Sequence, residues 1–183
     1  MASGMIEFEV KAKATEEALR RIEGTFHKRY EVLQVDIYFR HPCRDFAATD
    51  EALRVRFEDP DMGGTGMTYK GPKIDSVSKT REEVEVGLKR DDVEKVSKIL
   101  ERLGFEKLAV VRKLRRAYDA GEITLFVDSV EGLGNFVEAE SNVSYVADVP
   151  SVVSGLVSFL RGLGLDSLER RSYLELLLSR QER

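Results

Sequence analysis

Three stretches of this 183-residue chain set two glutamates two residues apart: Glu7 and Glu9 in IEFEVKAK, Glu83 and Glu85 in TREEVEVGL, and Glu138 and Glu140 in NFVEAES. In an extended chain, residues two apart point to the same side, so each stretch brings two carboxylates together with no cation between them. Basic residues recur at the same spacing, Arg54 with Arg56 and Lys113 with Arg115, and Lys11, Lys70, Lys73 and Arg81 add to them. Carboxylates are ligands for hard divalent cations, whereas guanidinium and ammonium groups pair with phosphate oxygens. Together the two sets can handle a polyphosphate: the acids hold Mg2+ or Mn2+, and the bases absorb phosphate charge. Two divalent ions would balance roughly four negative charges of a polyphosphate, leaving the loaded site close to neutral.

These groups act together only if their strands share one wall. On several of the strands the opposite face is apolar: Phe8 and Val10; Leu53, Val55 and Phe57; Val137 and Ala139. One face of each strand therefore belongs to a core and the other to something charged. IEFEVKAK, VLQVDIYF, EALRVRFE, GMTYKGPK, TREEVEVGL, LAVVRKLRRAY, EITLFVDSV and NFVEAES read as strands, several joined by turn-forming DPDMGG and DAGE. TEEALRRIEG reads as a helix capped by Thr15 and ended by Gly24, and DDVEKVSKILERLG as one capped by Asp91 and ended by Gly104. PSVVSGLVSFLRGLG is a helix with proline near its start, and RRSYLELLL is a final segment of open type. Many strands with short turns and few helices predict an antiparallel sheet or barrel decorated by helices. In a barrel of about eight strands alternate residues point into the lumen. That lumen would hold Glu7, Glu9, Glu83, Glu85, Asp128, Glu138 and Glu140 against Lys11, Arg54, Arg56, Lys70, Arg81, Lys113 and Arg115.

Composition narrows the alternatives. The net charge is only −4 with 34% of residues charged, so no basic field favours nucleic acid or a membrane surface. The single Cys43 excludes an internal disulfide and multi-cysteine metal sites, in keeping with a reducing cytoplasm. No apolar run has membrane-spanning length, and a soluble, cytoplasmic protein is expected. We expect one domain over residues 5–183, with Met1 to Gly4 a leader.

EFEVK at Glu7, Glu9 and Lys11 resembles the ExExK signature of the CYTH superfamily, the triphosphate tunnel metalloenzymes. VDIYF, TDEALRVRFE, TYKGPK, TREEVEV, VVRKLRRAY, VDSVEGLGNFVEAE and RRSYLELL follow in the order seen in its archaeal members, which resemble class IV adenylate cyclases and thiamine triphosphatases. The resemblance covers nearly the whole chain. It implies a mainly β (α+β) fold, an eight-stranded antiparallel closed barrel forming a charged tunnel with helices outside, and a two-metal site. Glu7, Glu9, Glu138 and Glu140 then resemble metal ligands, assisted by Asp128 and by one or both of Glu83 and Glu85. Lys11, Arg54, Arg56, Lys70, Lys113 and Arg115 resemble the phosphate grip, with Lys11, Arg54, Arg56 and Arg115 at the reacting phosphates. Arg81 joins them, Lys73 sits at the rim or substrate side, and the C-terminal basic position falls on Arg171 or its neighbour Arg170.

The implied reaction is a class IV-like adenylate cyclase converting ATP to cyclic AMP and pyrophosphate. A triphosphatase acting on tripolyphosphate, thiamine triphosphate or nucleotides is the second reading, and a polyphosphate-binding module without turnover the third. The partner is a triphosphate-bearing small molecule, without nucleic acid or membrane, and a homodimer is left open. His27 and His41 read as surface or structural residues, and Gly132 to Gly134 as a turn. Asp36 and Tyr38 are assigned either to the tunnel or, for Asp36, to a structural hydrogen bond.

Overall fold

The computed structural model describes residues 5–141 and 148–181, with the side chains of residues 5–7 and 181 outside that description. Glu7, a predicted metal ligand, is therefore placed by its backbone alone. The elements run β1 (Met5–Glu7), β2 (Glu9–Lys13), α1 (Glu16–Thr25), β3 (His27–Arg40), β4 (Ala52–Asp59), β5 (Gly66–Lys73) and β6 (Arg81–Gly87). They continue with α2 (Arg90–Arg102), β7 (Glu106–Ala120), β8 (Ile123–Val130), β9 (Gly134–Ser141), α3 (Val149–Gly162) and α4 (Tyr173–Gln181).

The expected first strand is divided at Phe8. Its first half pairs with β6 and its second with β9, so the antiparallel sheet β1-β6-β5-β4-β3-β7-β8-β9-β2 has two ends that are adjacent in the chain. Changing partners at one residue is what curls the sheet round into a tunnel of eight strands. In that ring β4 and β9 stand four strands apart in either direction and face each other.

The alternation of β2 works as anticipated, but both of its faces are buried. Phe8, Val10 and Ala12 pack outward against Ala18 and Ile22 of α1 and Val153, Leu156, Val157 and Leu160 of α3. Glu9 and Lys11 point inward and are equally inaccessible. On β4, Leu53 and Val55 pack under Val93 and Leu100 of α2, while Arg54 and Arg56 face the tunnel. Each fully buried aliphatic side chain contributes about 1.5–3 kcal/mol, so the helices stabilise the wall that carries the charges. The final segment is a helix: α4 sets Tyr173 and Leu174 against Tyr38, Val111 and Phe136.

Two predicted helix boundaries move. Thr15 caps α1 through Ala18 N–H to its Oγ1 at 3.1 Å, but the helix continues through Gly24 to Thr25. Gly24 retains helical backbone because Ile22 is anchored in the core on that turn. Asp91 does not cap α2. The cap is Lys89, which makes no side-chain cap bond, and Asp91 lies within the first turn, where its negative charge interacts favourably with the positive end of the helix dipole.

Candidate active site

The cross-strand register gathers the charges. Glu9 is opposite Glu140 and Lys11 opposite Glu138 on β2 and β9; Asp36 is opposite Arg56 and Tyr38 opposite Arg54 on β3 and β4; Arg115 is opposite Asp128 on β7 and β8. The inward faces enclose a cavity of about 1030 Å³. Most predicted residues line it. Glu9, Glu138 and Glu140 form one side, Arg54 and Arg56 face them, and Lys70, Arg81, Glu83, Glu85, Lys113 and Arg115 complete the wall.

The acid side is the candidate metal site. Glu9, Glu138 and Glu140 each offer one oxygen, and these oxygens lie within 4.8 Å of one another. Such a group of convergent carboxylates fits a hard divalent cation. Glu138 is buried; desolvation pushes its carboxyl up, but Lys79, Arg115 and Lys113 outweigh this and hold it well below the usual range. Its Oε1 accepts from Lys79 at 3.0 Å and its Oε2 from Arg115. Of the β6 pair, Glu83 is held by Lys70 and Glu85 accepts from Thr68 Oγ1 at 3.4 Å. Both reach the cavity.

The guanidinium side is pre-set by Asp36. Arg56 donates to it through Nε at 2.6 Å and Nη2 at 2.8 Å, a two-pronged pair that fixes the plane of the fork. Burial raises the Asp36 carboxyl, yet Arg56 and Arg54 together keep it well below the ordinary carboxylate range. Arg54 donates Nη2 to Thr68 Oγ1 at 3.0 Å and lies 3.7 Å from Asp36. Asp36 is thus in the tunnel and in a structural bond at once.

Four predicted site residues are placed elsewhere. Asp128, expected to assist the metal, is fully buried and saturated: Lys113 Nζ at 2.7 Å, Arg115 Nε and Nη2 at 2.7 and 2.6 Å, and Tyr173 OH at 3.0 Å all donate to it. It orients the β7 cations and does not line the cavity. Lys11, expected to grip phosphate, does not line the cavity. Its Nζ donates to the Arg171 carbonyl at 2.5 Å and sits 4.0 Å from the centre of the Tyr173 ring. Burial and the neighbouring Lys79 charge lower its pKa to about 7. Lys73 is sequestered between Asp50 at 2.6 Å and Glu175 at 3.2 Å, because α4 supplies a carboxylate to that corner. Arg171 is exposed and paired with Glu169 at 2.6 Å, and Arg170 reaches the Asp75 carbonyl at 2.6 Å. Neither lines the cavity.

Sequence reasoning passed over three contributors. Lys79 pairs with Glu9 and, at 3.0 Å, with Glu138; its spacing of two from Arg81 repeats the pattern seen elsewhere and was the available signal. Tyr173 lies beneath Lys11 and Lys113, and only the packing of α4 puts it there. Gln34 gives its amide nitrogen to Glu58 at 2.7 Å, which leaves its buried Oε1 without a partner on the cavity wall. His41 packs against Phe46 and Phe105 at the mouth, and Cys43 is exposed.

Comparison with known proteins agrees with this geometry. The chain is 43% identical over 179 residues to a Methanocaldococcus jannaschii protein provisionally named adenylate cyclase, spanning 94% of this chain and 98% of that one. It is 31% identical over 140 residues to adenylate cyclase CyaB of Aeromonas hydrophila, spanning 75% of this chain and 69% of the relative. A solved protein of Pyrococcus horikoshii superposes with a TM-score of 0.88 at 44% identity, covering 95% of this chain and 99% of that one. The CYTH domain model matches residues 5–173, and the chain belongs to the CYTH domain family.

Proposed function

We propose that this chain is a divalent-metal-dependent adenylate cyclase of the class IV type, converting ATP to cyclic AMP and pyrophosphate inside the tunnel. One observation carries the reading. Three carboxylates with oxygens within 4.8 Å of one another and the guanidinium pair Arg54 and Arg56 occupy facing sides of one cavity of about 1030 Å³. Glu9, Glu138 and Glu140 would hold Mg2+ or Mn2+, which when bound supplies Lewis-acid stabilisation of phosphate oxygens. Arg54 and Arg56 bind the far end of the triphosphate and absorb the charge that develops on departing pyrophosphate. Asp36 keeps the Arg56 fork in one orientation, so less ordering is required when substrate arrives. Lys70, Arg81, Lys113 and Arg115 extend the cationic lining along the tunnel.

Named relatives support a nucleotide over an inorganic chain: two carry the name adenylate cyclase, one of them provisionally.

A triphosphatase is the second reading, since water in place of the ribose 3′-hydroxyl would use the same phosphate grip. It is supported by the lining itself, in which Arg54, Arg56, Lys70, Arg81, Lys113 and Arg115 are matched to phosphate oxygens. The deciding assay incubates the protein and Mg2+ or Mn2+ with ATP, tripolyphosphate and thiamine triphosphate, then separates cyclic AMP, pyrophosphate and orthophosphate. Cyclic AMP with matching pyrophosphate is expected. Orthophosphate as the main product would replace this reading with the second.

A further inference from the structure

Lys79 has a position no phosphate-gripping residue needs. It lies on the connection between β5 and β6, and its ammonium donates to Glu9 Oε1 and, at 3.0 Å, to Glu138 Oε1. Those are two of the three carboxylates whose oxygens converge. The ammonium therefore stands where a hard cation would draw its ligands.

Its backbone is fastened while its side chain has an exit. Lys79 N–H donates to the Glu9 carbonyl at 2.9 Å, and Ile74 N–H to the Thr80 carbonyl at 2.8 Å, so the connection is tied to β2 and across its own base. Asp75 braces the tip through Val77 N–H at 2.7 Å and Ser78 N–H at 2.6 Å. The Lys79 side chain is 12% exposed and lines the cavity, which leaves its flexible stem a path into that space. Arg115 also contacts Glu138, but it is fixed on Asp128 by two hydrogen bonds and cannot withdraw. Of these two cations only Lys79 can yield its place without dismantling the wall.

We propose that Lys79 is a tethered counter-cation that occupies the carboxylate cluster when no metal is present and is displaced from Glu9 and Glu138 when a divalent ion enters. This rests on the reading of Glu9, Glu138 and Glu140 as metal holders. Displacement costs two charge-assisted hydrogen bonds, which weakens metal binding in the absence of substrate. The released ammonium remains tethered within the cavity, where the oxygens of a triphosphate are its natural partners. Metal and triphosphate then bind together more readily than either alone, because the anion receives the cation that the metal ejects.

The test uses the whole protein without nucleotide. Mn2+ affinity is measured by calorimetry for the wild type and for Lys79→Met, which keeps the length of the side chain and removes its charge. The variant is expected to bind Mn2+ about tenfold tighter or more, the scale set by losing one competing charged partner of buried carboxylates. Equal or weaker binding overturns the proposal while leaving the metal site in place. Mn2+ binding to neither protein overturns the metal site and the proposal with it. Should the variant fail to fold, acylation of wild-type Lys79 by acetic anhydride, read by mass spectrometry, decides the matter. Mn2+ should raise Lys79 acylation several-fold while leaving the exposed Lys95 unchanged, and no rise refutes the displacement.

Discussion

Asp128 and the Glu9, Glu138 and Glu140 cluster are built from the same chemistry on neighbouring strands, yet the protein treats them in opposite ways. Asp128 receives four hydrogen bonds from Lys113, Arg115 and Tyr173 and is wholly enclosed. The glutamates converge on the cavity with oxygens within 4.8 Å of one another. A buried carboxylate whose oxygens are all engaged by the protein is a strut. Carboxylates held close together on the cavity wall keep capacity for a cation. The difference lies in which donors hold each oxygen and not in residue type: Asp128 is held by Lys113, Arg115 and Tyr173, whereas Glu9 and Glu138 share the long-stemmed Lys79, and Arg115, which touches both Asp128 and Glu138, joins the two regions.

Removing the strut should have the largest effect. Asp128→Asn leaves buried Lys113 without the carboxylate it pairs with and Arg115 with the β9 glutamates alone, and loss of one partner of a buried pair costs about 3–5 kcal/mol. Glu140→Gln, at the more open end of the cluster, should cost under about 1 kcal/mol yet weaken Mn2+ binding. Urea unfolding and Mn2+ calorimetry on both variants check the contrast. Similar stability losses in the two would erase the distinction between strut and site.

Acid provides the next largest test. Asp36, Asp128 and Glu138 all have folded pKa values depressed below their unfolded ones, because the surrounding cations outweigh the desolvation that raises them. Between the folded and unfolded values the unfolded chain binds more protons, so stability rises with pH there. Their contribution is complete above the unfolded values of about 4 and is lost as pH falls toward the folded ones. Thermal unfolding should give a steady Tm from pH 7 to 5 and a steep decline below 4. An unchanged Tm at pH 3 would mean that these acids are not paired in solution.

Arg54→Ala tests the wall facing the cluster. Arg56 would still satisfy Asp36, so the fold should persist, while each lost charge-assisted phosphate contact removes about 1.5–3 kcal/mol of binding. Calorimetry with tripolyphosphate and Mg2+ reads this directly, and unchanged affinity would place the bound anion away from β4. The smallest effect belongs to Arg171→Ala. Its exposed pair with Glu169 is of the kind that contributes about 0–1 kcal/mol, so Tm and tripolyphosphate affinity should both stay near wild type. A marked loss of affinity would return Arg171 to the phosphate grip.

The amino-acid sequence alone determined which side of each strand carries charge. Alternation has a period of two, so the partition of Arg54 and Arg56 from Leu53 and Val55 follows from local geometry once the strand is recognised, and Glu9 is separated from Val10 in the same way. It also placed the Thr15 cap, whose bond spans only three residues. Which charges face a ligand and which serve one another was decided in three dimensions. Lys11 and Arg54 follow the same alternating rule, yet α4 folds over Lys11 and the Arg171 carbonyl captures it across 160 positions of chain. Asp128 becomes a strut because Tyr173 and two β7 cations reach it, and Lys79 enters the acid cluster because its connection is tied to β2, 70 residues away. Periodicity records the direction of a side chain from its own strand. It carries no information about what arrives from the far end of the chain to meet it.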